Sequence, residues 1–330
     1  MLGIILVNYN CWPHTIECLE SILRSEYKDF HIIVVDNASS DDSVAQIRSW
    51  ASGNVNAWVS KNSSHRSKIW PPVGKPIEIR LVDDTFTDID GSCIDASLIL
   101  LTCKRNGGFG SGNNLGMSCA LSLGLDTGYF WLLNNDTVIG PDVIGRILAL
   151  VTNRPCIWGT WLMEYLKPES FQIVGGCRLT LLAKRPIPYR NPEAIRSLDC
   201  LNGASLVFPV SLFRATGGFD ERIFMYGEEL DLCLRAKRLG YELDVLPIKV
   251  YHKGGVSSNS MQQWIWTYRN KFYILHKQFG WRFWVVPNVL NLLLVAFSPF
   301  HRFSRGGKRQ AIWFLLRGGL FRLILAKDIV

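Results

Sequence analysis

Short polar segments follow four apolar runs of the chain, and they contain residue types that hold sugars, phosphates and metal ions. These segments are residues 8–10, 36–41, 106–114 and 134–137, rich in asparagine, aspartate and glycine. Taken singly, each is typical of a turn or a helix cap. Ligands of open α/β sheets bind where the carboxyl ends of parallel strands meet. The four segments together therefore predict one ligand site.

The apolar runs predict the elements that position these segments. Residues 3–8 and 31–36 are Ile- and Val-rich, as in strands buried on both faces of a parallel sheet. Residues 13–25 have helical spacing between them. Further strands are predicted at 97–101, 129–133 and 206–208, and helices at 113–123 and 228–239. The pattern predicts an α/β protein with a mostly parallel sheet flanked by helices.

Residues 51–95 interrupt this alternation with glycine, serine, proline and a run of acids. We interpret them as an inserted flap or hairpin, with residues 77–82 as one strand. The nine cysteines form no CxxC pair, which favours reduced thiols over a disulfide scaffold or a zinc site. The N-terminus lacks the pattern of a signal peptide. These features predict a cytoplasmic protein.

The glycine-rich segment 106–114 does not fit a dinucleotide fold. A Rossmann fingerprint needs G-x-G-x-x-G after the first strand and an acid at the end of the second. Here the glycines follow a later strand, and Asn113 stands at the third glycine position. The order of the glycine segment along the chain and the spacing of its glycines exclude a nicotinamide-dependent function.

Glu228, Glu229 and Asp231 open a predicted helix. The helix dipole stabilises carboxylates in a first turn, and this effect alone can explain why acidic residues stand here. The same dipole would keep a carboxylate ionised at neutral pH. A carboxylate at this place could instead deprotonate a substrate hydroxyl, a role that accelerates reactions by about 10²–10⁴. Both interpretations stand at this point.

Five motifs, in this order, closely resemble family 2 glycosyltransferases. They are VNYN, VDNASSDDS, NGGFGSGNNLG, LLNNDT and the stretch 202–255, which contains GGFDE, YGEELDLCLR and VYHKGG. The last stretch is similar to rhamnosyltransferase-like members. The resemblance implies a GT-A fold over residues 1–255 and inverting transfer of a sugar from a nucleotide diphosphate. The acceptor it implies is a lipid-linked or polysaccharide molecule of bacterial surface glycan synthesis, and the sugar it favours is rhamnose from dTDP-rhamnose.

The resemblance also assigns roles to residues. The donor nucleotide would contact Val7, Tyr9, Asp36, Asn106, Gly108, Asn113, Asn114, Asn134 and Asp136. Asp136 ends the family's metal motif and, with His252, would hold Mg²⁺ or Mn²⁺. The first position of that motif is usually Asp and here is Asn134, which supplies an oxygen but no charge.

Glu229 aligns with the family's general base, which is usually Asp, so its longer reach is a second departure. The same resemblance places Asp220, Glu221 and Glu228 near the acceptor. Asp220 and Glu221 could equally be turn residues after Gly217-Gly218, and His252 could equally be a hydrogen-bonded loop histidine.

Residues 256–330 form a basic, aromatic extension. From residue 251 onward there are twelve Lys or Arg residues and one acid, Asp328. Because these cations alternate with long apolar runs, we predict a helical extension that contacts an anionic membrane surface on its cytoplasmic face, and no nucleic acid partner. Packing against the catalytic domain and a membrane span at 283–300 are the alternatives.

Two other functions remain open. A sugar-phosphate nucleotidyltransferase would share the α/β core, but it would need a phosphate loop rich in glycine and cations after the first strand, where VNYNCW stands. A non-catalytic nucleotide-sugar binding protein is compatible with the departures at Asn134 and Glu229.

Overall fold

The computed structural model describes residues 1–86, 98–125, 128–180, 186–254 and 260–280. The helices are α1 (Trp12–Leu23), α2 (Ser43–Ala51), α3 (Arg66–Ile69), α4 (Gly108–Ser122), α5 (Val143–Leu150), α6 (Val210–Thr216), α7 (Glu228–Arg238) and α8 (Ser260–Phe279). The strands that precede residue 150 are β1 (Leu2–Asn8), β2 (Phe30–Asp36), β3 (Ile79–Asp83), β4 (Leu98–Thr102), β5 (Tyr129–Leu133) and β6 (Thr137–Val138). The later strands are β7 (Cys156–Glu164), β8 (Phe171–Val174), β9 (Gly176–Leu179), β10 (Pro186–Pro188), β11 (Cys200–Leu201), β12 (Ser205–Pro209) and β13 (Glu242–His252).

The main sheet confirms the predicted α/β class. Its strand order is β3-β4-β2-β1-β5-β12-β7-β13-β6, with β8 paired to β7. The pairs from β3 to β5 are parallel, as is β13 with β7, whereas β12 runs antiparallel to both of its neighbours. A separate three-stranded sheet has the order β10-β9-β11. The result is a largely parallel central sheet flanked by helices.

Alternation along β1 explains how the sheet is buried on both faces. Leu2, Ile4 and Leu6 belong to a core with α1, α2 and α5, while Ile5 belongs to a second core with α4 and α7. All four side chains are fully buried. Because each face is covered by helices, the strand carries apolar residues at consecutive positions.

The register of the parallel strands aligns their carboxyl ends. Asn8 is opposite Asp36, and Asp36 is opposite Thr102 on the next strand. The polar segments after β1, β2 and β4 therefore emerge at one edge of the sheet, as the sequence predicts.

The described part of the segment 51–95 adds a strand to the main sheet. This strand, β3, pairs in parallel with β4 and extends the edge of the sheet. Glu20 of α1 anchors the segment, since its carboxylate accepts hydrogen bonds from Val73 N at 2.8 Å and Lys75 Nζ at 3.1 Å. The predicted flap over residues 87–95 lies outside the described residues.

Helix α8 is the described part of the basic extension, and it packs on the catalytic body. Lys277 Nζ lies 2.7 Å from Asp220 Oδ2 and 2.8 Å from Asp231 Oδ1. Among the helices of the described ranges, none has the length and apolar character of a membrane span. The predicted membrane contact at residues 281–330 lies outside those ranges.

Candidate active site

The ends of β1 and β2 are joined through the Asp36 carboxylate. Its Oδ2 accepts from Asn8 Nδ2 at 2.8 Å and from Ser39 Oγ at 2.6 Å, and its Oδ1 accepts from Ser39 N at 3.0 Å. Asp36 is only 3% exposed. Its carboxylate thus shapes the turn after β2, and its contact with a nucleotide base stays a prediction. Nearby, Tyr9 is 43% exposed and Val7 is half-buried, so Tyr9 is open to a ligand.

Amide hydrogen bonds position the start of α4 beside this turn. Asn106 Oδ1 accepts from Asn37 Nδ2 and from Gly108 N, both at 2.9 Å. Gly108 has a φ of +87°, and a Cβ there would lie 2.0 Å from Phe224 O. Only glycine allows this close approach of the helix to the loop before α7. Asn106 and Gly108 therefore shape the site through the backbone.

Asn113 and Asn114 were predicted to bind the donor, and the structure gives both amides partners within the chain. Asn113 Nδ2 donates to Phe109 O at 2.9 Å. Asn114 Nδ2 donates to Phe219 O at 2.9 Å, and Asn114 Oδ1 accepts from Phe219 N at 2.8 Å. Asn114 therefore joins α4 to the GGFDE segment.

The ends of β5 and β13 form a corner, here called the metal corner, of Asn134, Asp136 and His252. His252 Nε2 lies 3.2 Å from Asp136 Oδ1 and 3.3 Å from Asn134 Nδ2. His252 Nδ1 lies 2.6 Å from Gln172 Oε1 on β8. In a neutral imidazole, donation from Nδ1 to Gln172 leaves the Nε2 lone pair available to a cation, whereas a protonated imidazole also donates from Nε2 to Asp136.

Two further observations show that the metal corner fits a hard cation. Asn134 Oδ1 is buried and has no hydrogen-bond partner within the described part of the chain. Burial tends to raise the pKa of Asp136, but hydrogen bonds from His252 and Gly254 N outweigh it and hold the pKa below its ordinary value. The described residues contain no cluster of three or more His, Cys, Asp or Glu side chains that could hold a metal. The protein supplies few ligands here, so donor phosphate oxygens would complete the coordination.

The carboxylates of Glu228 and Glu229, at the start of α7, have few hydrogen-bond partners among the described residues. Glu229 Oε2 accepts from Gly227 N at 3.2 Å, and Glu228 Oε2 has no partner within that part of the chain. Burial raises the pKa of Glu229; burial and then the adjacent Glu229 charge raise the pKa of Glu228 well above its ordinary value. Desolvation therefore opposes the ionisation that the helix dipole favours at these two residues.

A single cavity of about 460 Å³ contains both features. Its lining includes Asn134, Asp136 and His252 as well as Glu228 and Glu229. Residues of the loop before α7 and of α8, such as Tyr226, Lys271 and Ile274, also line it. The volume suits a small-molecule site. The structure thus brings together the predicted metal ligands and the predicted base.

Asp220 and Glu221, which were predicted to contact the acceptor, do not line this cavity. Asp220 is bonded to Arg222, to Tyr273 Oη at 2.7 Å and to Lys277 Nζ at 2.7 Å. Glu221 is exposed and accepts from Asn114 Nδ2 at 3.1 Å. In this arrangement Asp220 docks α8 onto the body.

Sequence reasoning missed Gln172 because nothing in its local pattern shows that β8 lies beside the end of β13. The separation of 80 residues between Gln172 and His252 hides the contact. Many strands contain a polar residue, so the presence of Gln172 in a strand does not by itself predict a contact with His252.

Comparisons with known proteins agree with the motifs and the fold. The family model described as "Glycosyl transferase family 2" matches residues 3–69. Rhamnosyltransferase WbbL of Escherichia coli (strain K12) is 24% identical over 153 residues, which cover 42% of this chain and 58% of that relative. The resemblance to rhamnosyltransferase-like family 2 glycosyltransferases is therefore confirmed.

Solved structures extend the likeness of fold to nearly the whole chain. S. aureus TarS 1-349 has a TM-score of 0.52 at 14% identity, covering 98% of this chain and 81% of that one. Mannosyltransferase PcManGT from Pyrobaculum calidifontis, in complex with GDP-Man and Mn²⁺, has a TM-score of 0.50 at 13% identity, covering 99% and 81%. The chain shares the GT-A fold of these enzymes.

Proposed function

We propose that this protein is an inverting glycosyltransferase that moves a sugar from a nucleotide diphosphate to a hydroxyl of a glycan or lipid-linked acceptor. One observation carries the proposal: the metal corner and the two glutamates of α7, Glu228 and Glu229, line one cavity. The name of the E. coli relative supports rhamnose as the sugar. The metal and nucleotide sugar bound by the P. calidifontis enzyme support the donor class.

Asp136, His252 Nε2 and the amide oxygen of Asn134 are the groups that would hold Mg²⁺ or Mn²⁺ in this enzyme. A divalent cation supplies neutralisation of the charge that develops on the leaving diphosphate. Gln172 keeps the imidazole in the orientation and tautomer that such a role requires.

Glu229 is the proposed general base. Its carboxylate accepts the proton of the acceptor hydroxyl while that oxygen forms a bond to the anomeric carbon. The bond between that carbon and the diphosphate oxygen breaks, and its electron pair leaves with the nucleoside diphosphate. A raised pKa makes the carboxylate a stronger base and brings it closer to neutral pH, where proton acceptance is most efficient.

Isothermal titration calorimetry tests the donor half of the proposal. Nucleoside diphosphates should bind the wild-type protein with Mn²⁺ and lose affinity when EDTA is added. In Asp136→Asn, the affinity for nucleoside diphosphates should no longer depend on Mn²⁺. In Gln172→Leu, the gain in affinity that Mn²⁺ provides should be reduced about 10–100-fold. Gln46→Leu, a change on α2 away from the metal corner, is the control. Binding that EDTA leaves unchanged in the wild type contradicts the metal assignment.

Turnover separates the enzyme from a nucleotide-sugar binding protein. Release of nucleoside diphosphate from dTDP-rhamnose, and faster release with a glycan acceptor, supports transfer. Tight donor binding with no release under any acceptor supports the non-catalytic alternative.

The basic extension supports a second part of the proposal, attachment to the cytoplasmic face of an anionic membrane. Binding of the full chain to anionic vesicles should weaken with salt, because exposed charges are screened over about 8 Å at physiological ionic strength. Equal binding to neutral and anionic vesicles, or no binding to either, contradicts this attachment.

A further inference from the structure

A second cavity, of about 590 Å³, opens between the start of α1, residues 58–64 and the loop after β7. None of its lining residues lines the cavity that holds Glu229. Its volume lies within the ordinary range of small-molecule sites. The proposed transfer reaction does not use it, so its chemistry needs its own explanation.

The polar wall of this cavity is built around Glu17. This side chain is 5% exposed, and its two oxygens accept from Tyr165 Oη and from Lys253 Nζ. Lys253 Nζ also donates to His14 Nδ1 at 2.7 Å, and it lies 4.9 Å from the centre of the Tyr165 ring. The acceptor role of Nδ1 requires an uncharged imidazole. The ammonium and carboxylate charges cancel, so the wall is polar but close to neutral.

The mouth of the cavity combines exposed apolar surface with small polar groups. Trp58 is 84% exposed and Leu166 is 89% exposed. Ser60, Asn62 and Ser64 also line the cavity. The side chains of Asn62 and Ser64 have no partner within the described ranges, so their donors and acceptors are available to a ligand.

A sugar ring matches this combination. Its C–H face is apolar and packs on an aromatic ring, while its hydroxyls donate and accept at the edge. A phosphate fits less well, because the one cation of the lining is already paired and Glu17 would repel it. A purely apolar ligand would bury the polar wall without hydrogen bonds, which is unfavourable.

The cavity is connected to the metal corner through Lys253. The N–H of this residue donates to Asp136 O at 3.1 Å, while its side chain forms part of the polar wall. A glycan held here would therefore sit beside the reacting groups without occupying their cavity.

We infer that this second cavity binds a neutral sugar unit of the glycan substrate, at a subsite separate from the one where transfer occurs. The identity of that glycan rests on the proposed function, whereas the binding of a neutral sugar does not. Trp58 is the residue that packs on the sugar ring, and the serine and asparagine side chains select for hydroxyls.

Nuclear magnetic resonance of the tryptophan indole N–H groups tests the inference on the full chain. The Trp58 signal is identified by its loss in Trp58→Ala. Methyl rhamnoside, lactose and cellobiose at millimolar concentration should shift this signal, and inorganic phosphate should leave it in place. Trp58→Ala should weaken binding of the best of these sugars about tenfold or more, as expected for loss of one aromatic stacking contact.

Trp70→Ala is the matched control, because Trp70 lies in the same segment but does not line the cavity. It should leave sugar binding at the wild-type level. If no neutral sugar shifts the Trp58 signal, or if phosphate shifts it as strongly, the inference is wrong.

Kinetics separates failure of this inference from failure of the proposed function. With acceptors long enough to reach both cavities, Trp58→Ala should raise KM, and the rise should vanish as the acceptor is shortened. An enzyme that transfers sugar but shows no such dependence contradicts the subsite alone. A protein that binds neutral sugars at Trp58 but never turns over a donor contradicts the proposed function alone.

Discussion

Two pairs of carboxylates near the start of α7 differ in what surrounds them, although all four lie between residues 220 and 231. Asp220 and Asp231 are surrounded by cations and hydrogen-bond donors, whereas Glu228 and Glu229 face the cavity, and Glu228 Oε2 has no hydrogen-bond partner among the described residues. The difference shows that the partners of an acid, more than its position in a motif, separate a structural role from a chemical one.

The structural pair holds α8 against the body. Asp231 is fully buried and is bonded to Arg235 Nε at 2.7 Å, Lys277 Nζ and Gln278 Nε2. Burial would raise the pKa of Asp220, but hydrogen bonds from Arg222, Lys277 and Tyr273 hold it well below its ordinary value. The lowered pKa makes Asp220 a poor proton acceptor.

The chemical pair has the opposite properties. Burial raises the pKa of both glutamates, and the backbone hydrogen bonds that lower it do not outweigh burial. Such groups cost folding free energy when ionised, and proteins keep them where function requires a proton acceptor.

The largest effect is expected for Glu229→Gln. Because an amide cannot accept the proton, turnover should fall about 10²–10⁴-fold while donor affinity stays near the wild-type value. The wild-type rate should fall as the pH drops through the raised pKa of this carboxyl. Glu229→Asp asks whether reach matters, since it shortens the side chain and keeps the charge. Turnover and calorimetry measure the two quantities.

Glu228→Gln and Asp220→Asn are the controls for that loss. Near-normal turnover in Glu229→Gln, together with abolished turnover in either control, means that the base is a different residue.

Asp231→Asn should destabilise the fold instead. It leaves Arg235 and Lys277 without their shared carboxylate, and breaking such a buried pair costs about 3 kcal/mol. Urea unfolding measures the loss, and turnover per folded molecule should stay close to that of the wild type. A stable Asp231→Asn with strongly reduced turnover would place Asp231 in the chemical pair.

The smallest expected effect is on the pH dependence of the free energy of unfolding, which should have opposite signs for Glu228 and Asp220. In the unfolded chain the Glu228 carboxyl ionises near its ordinary pKa of 4.5, whereas in the folded chain its pKa is higher. The free energy of unfolding therefore decreases as the pH rises from 4.5 toward the pKa of the folded state. Glu228→Gln should therefore gain stability over the wild type with rising pH, by about 1.4 kcal/mol for each pKa unit.

Asp220→Asn should show the opposite trend. The folded pKa of Asp220 lies below its ordinary value of 3.8, so its stabilisation is present above that pH and is lost as the pH falls further. The loss of unfolding free energy caused by Asp220→Asn should therefore become smaller as the pH falls below 3.8. Urea denaturation at several pH values from 3 to 8 gives the difference in unfolding free energy between each variant and the wild type. If the two carboxylates were alike, this difference would change with pH in the same way for both variants.

The sequence predicts features set by local pattern and misses those set by distant packing. Apolar runs identify β1, β2 and β5, and the motifs identify Asp136, His252 and Glu229, which the fold brings to one cavity. Asp220 pairs with Lys277, 57 residues away, and Gln172 orients His252 from a strand 80 residues away. Neither contact follows from spacing, because each depends on how α8 and β8 pack.

The stereochemistry of the product tests the central claim most directly. If Glu229 activates the acceptor hydroxyl for a single displacement at the metal corner, the anomeric configuration of the transferred sugar is opposite to that in the donor. Proton coupling constants of the anomeric centre, measured on product from the wild-type enzyme, give the answer. The account predicts inversion, and a product that keeps the donor's configuration contradicts it.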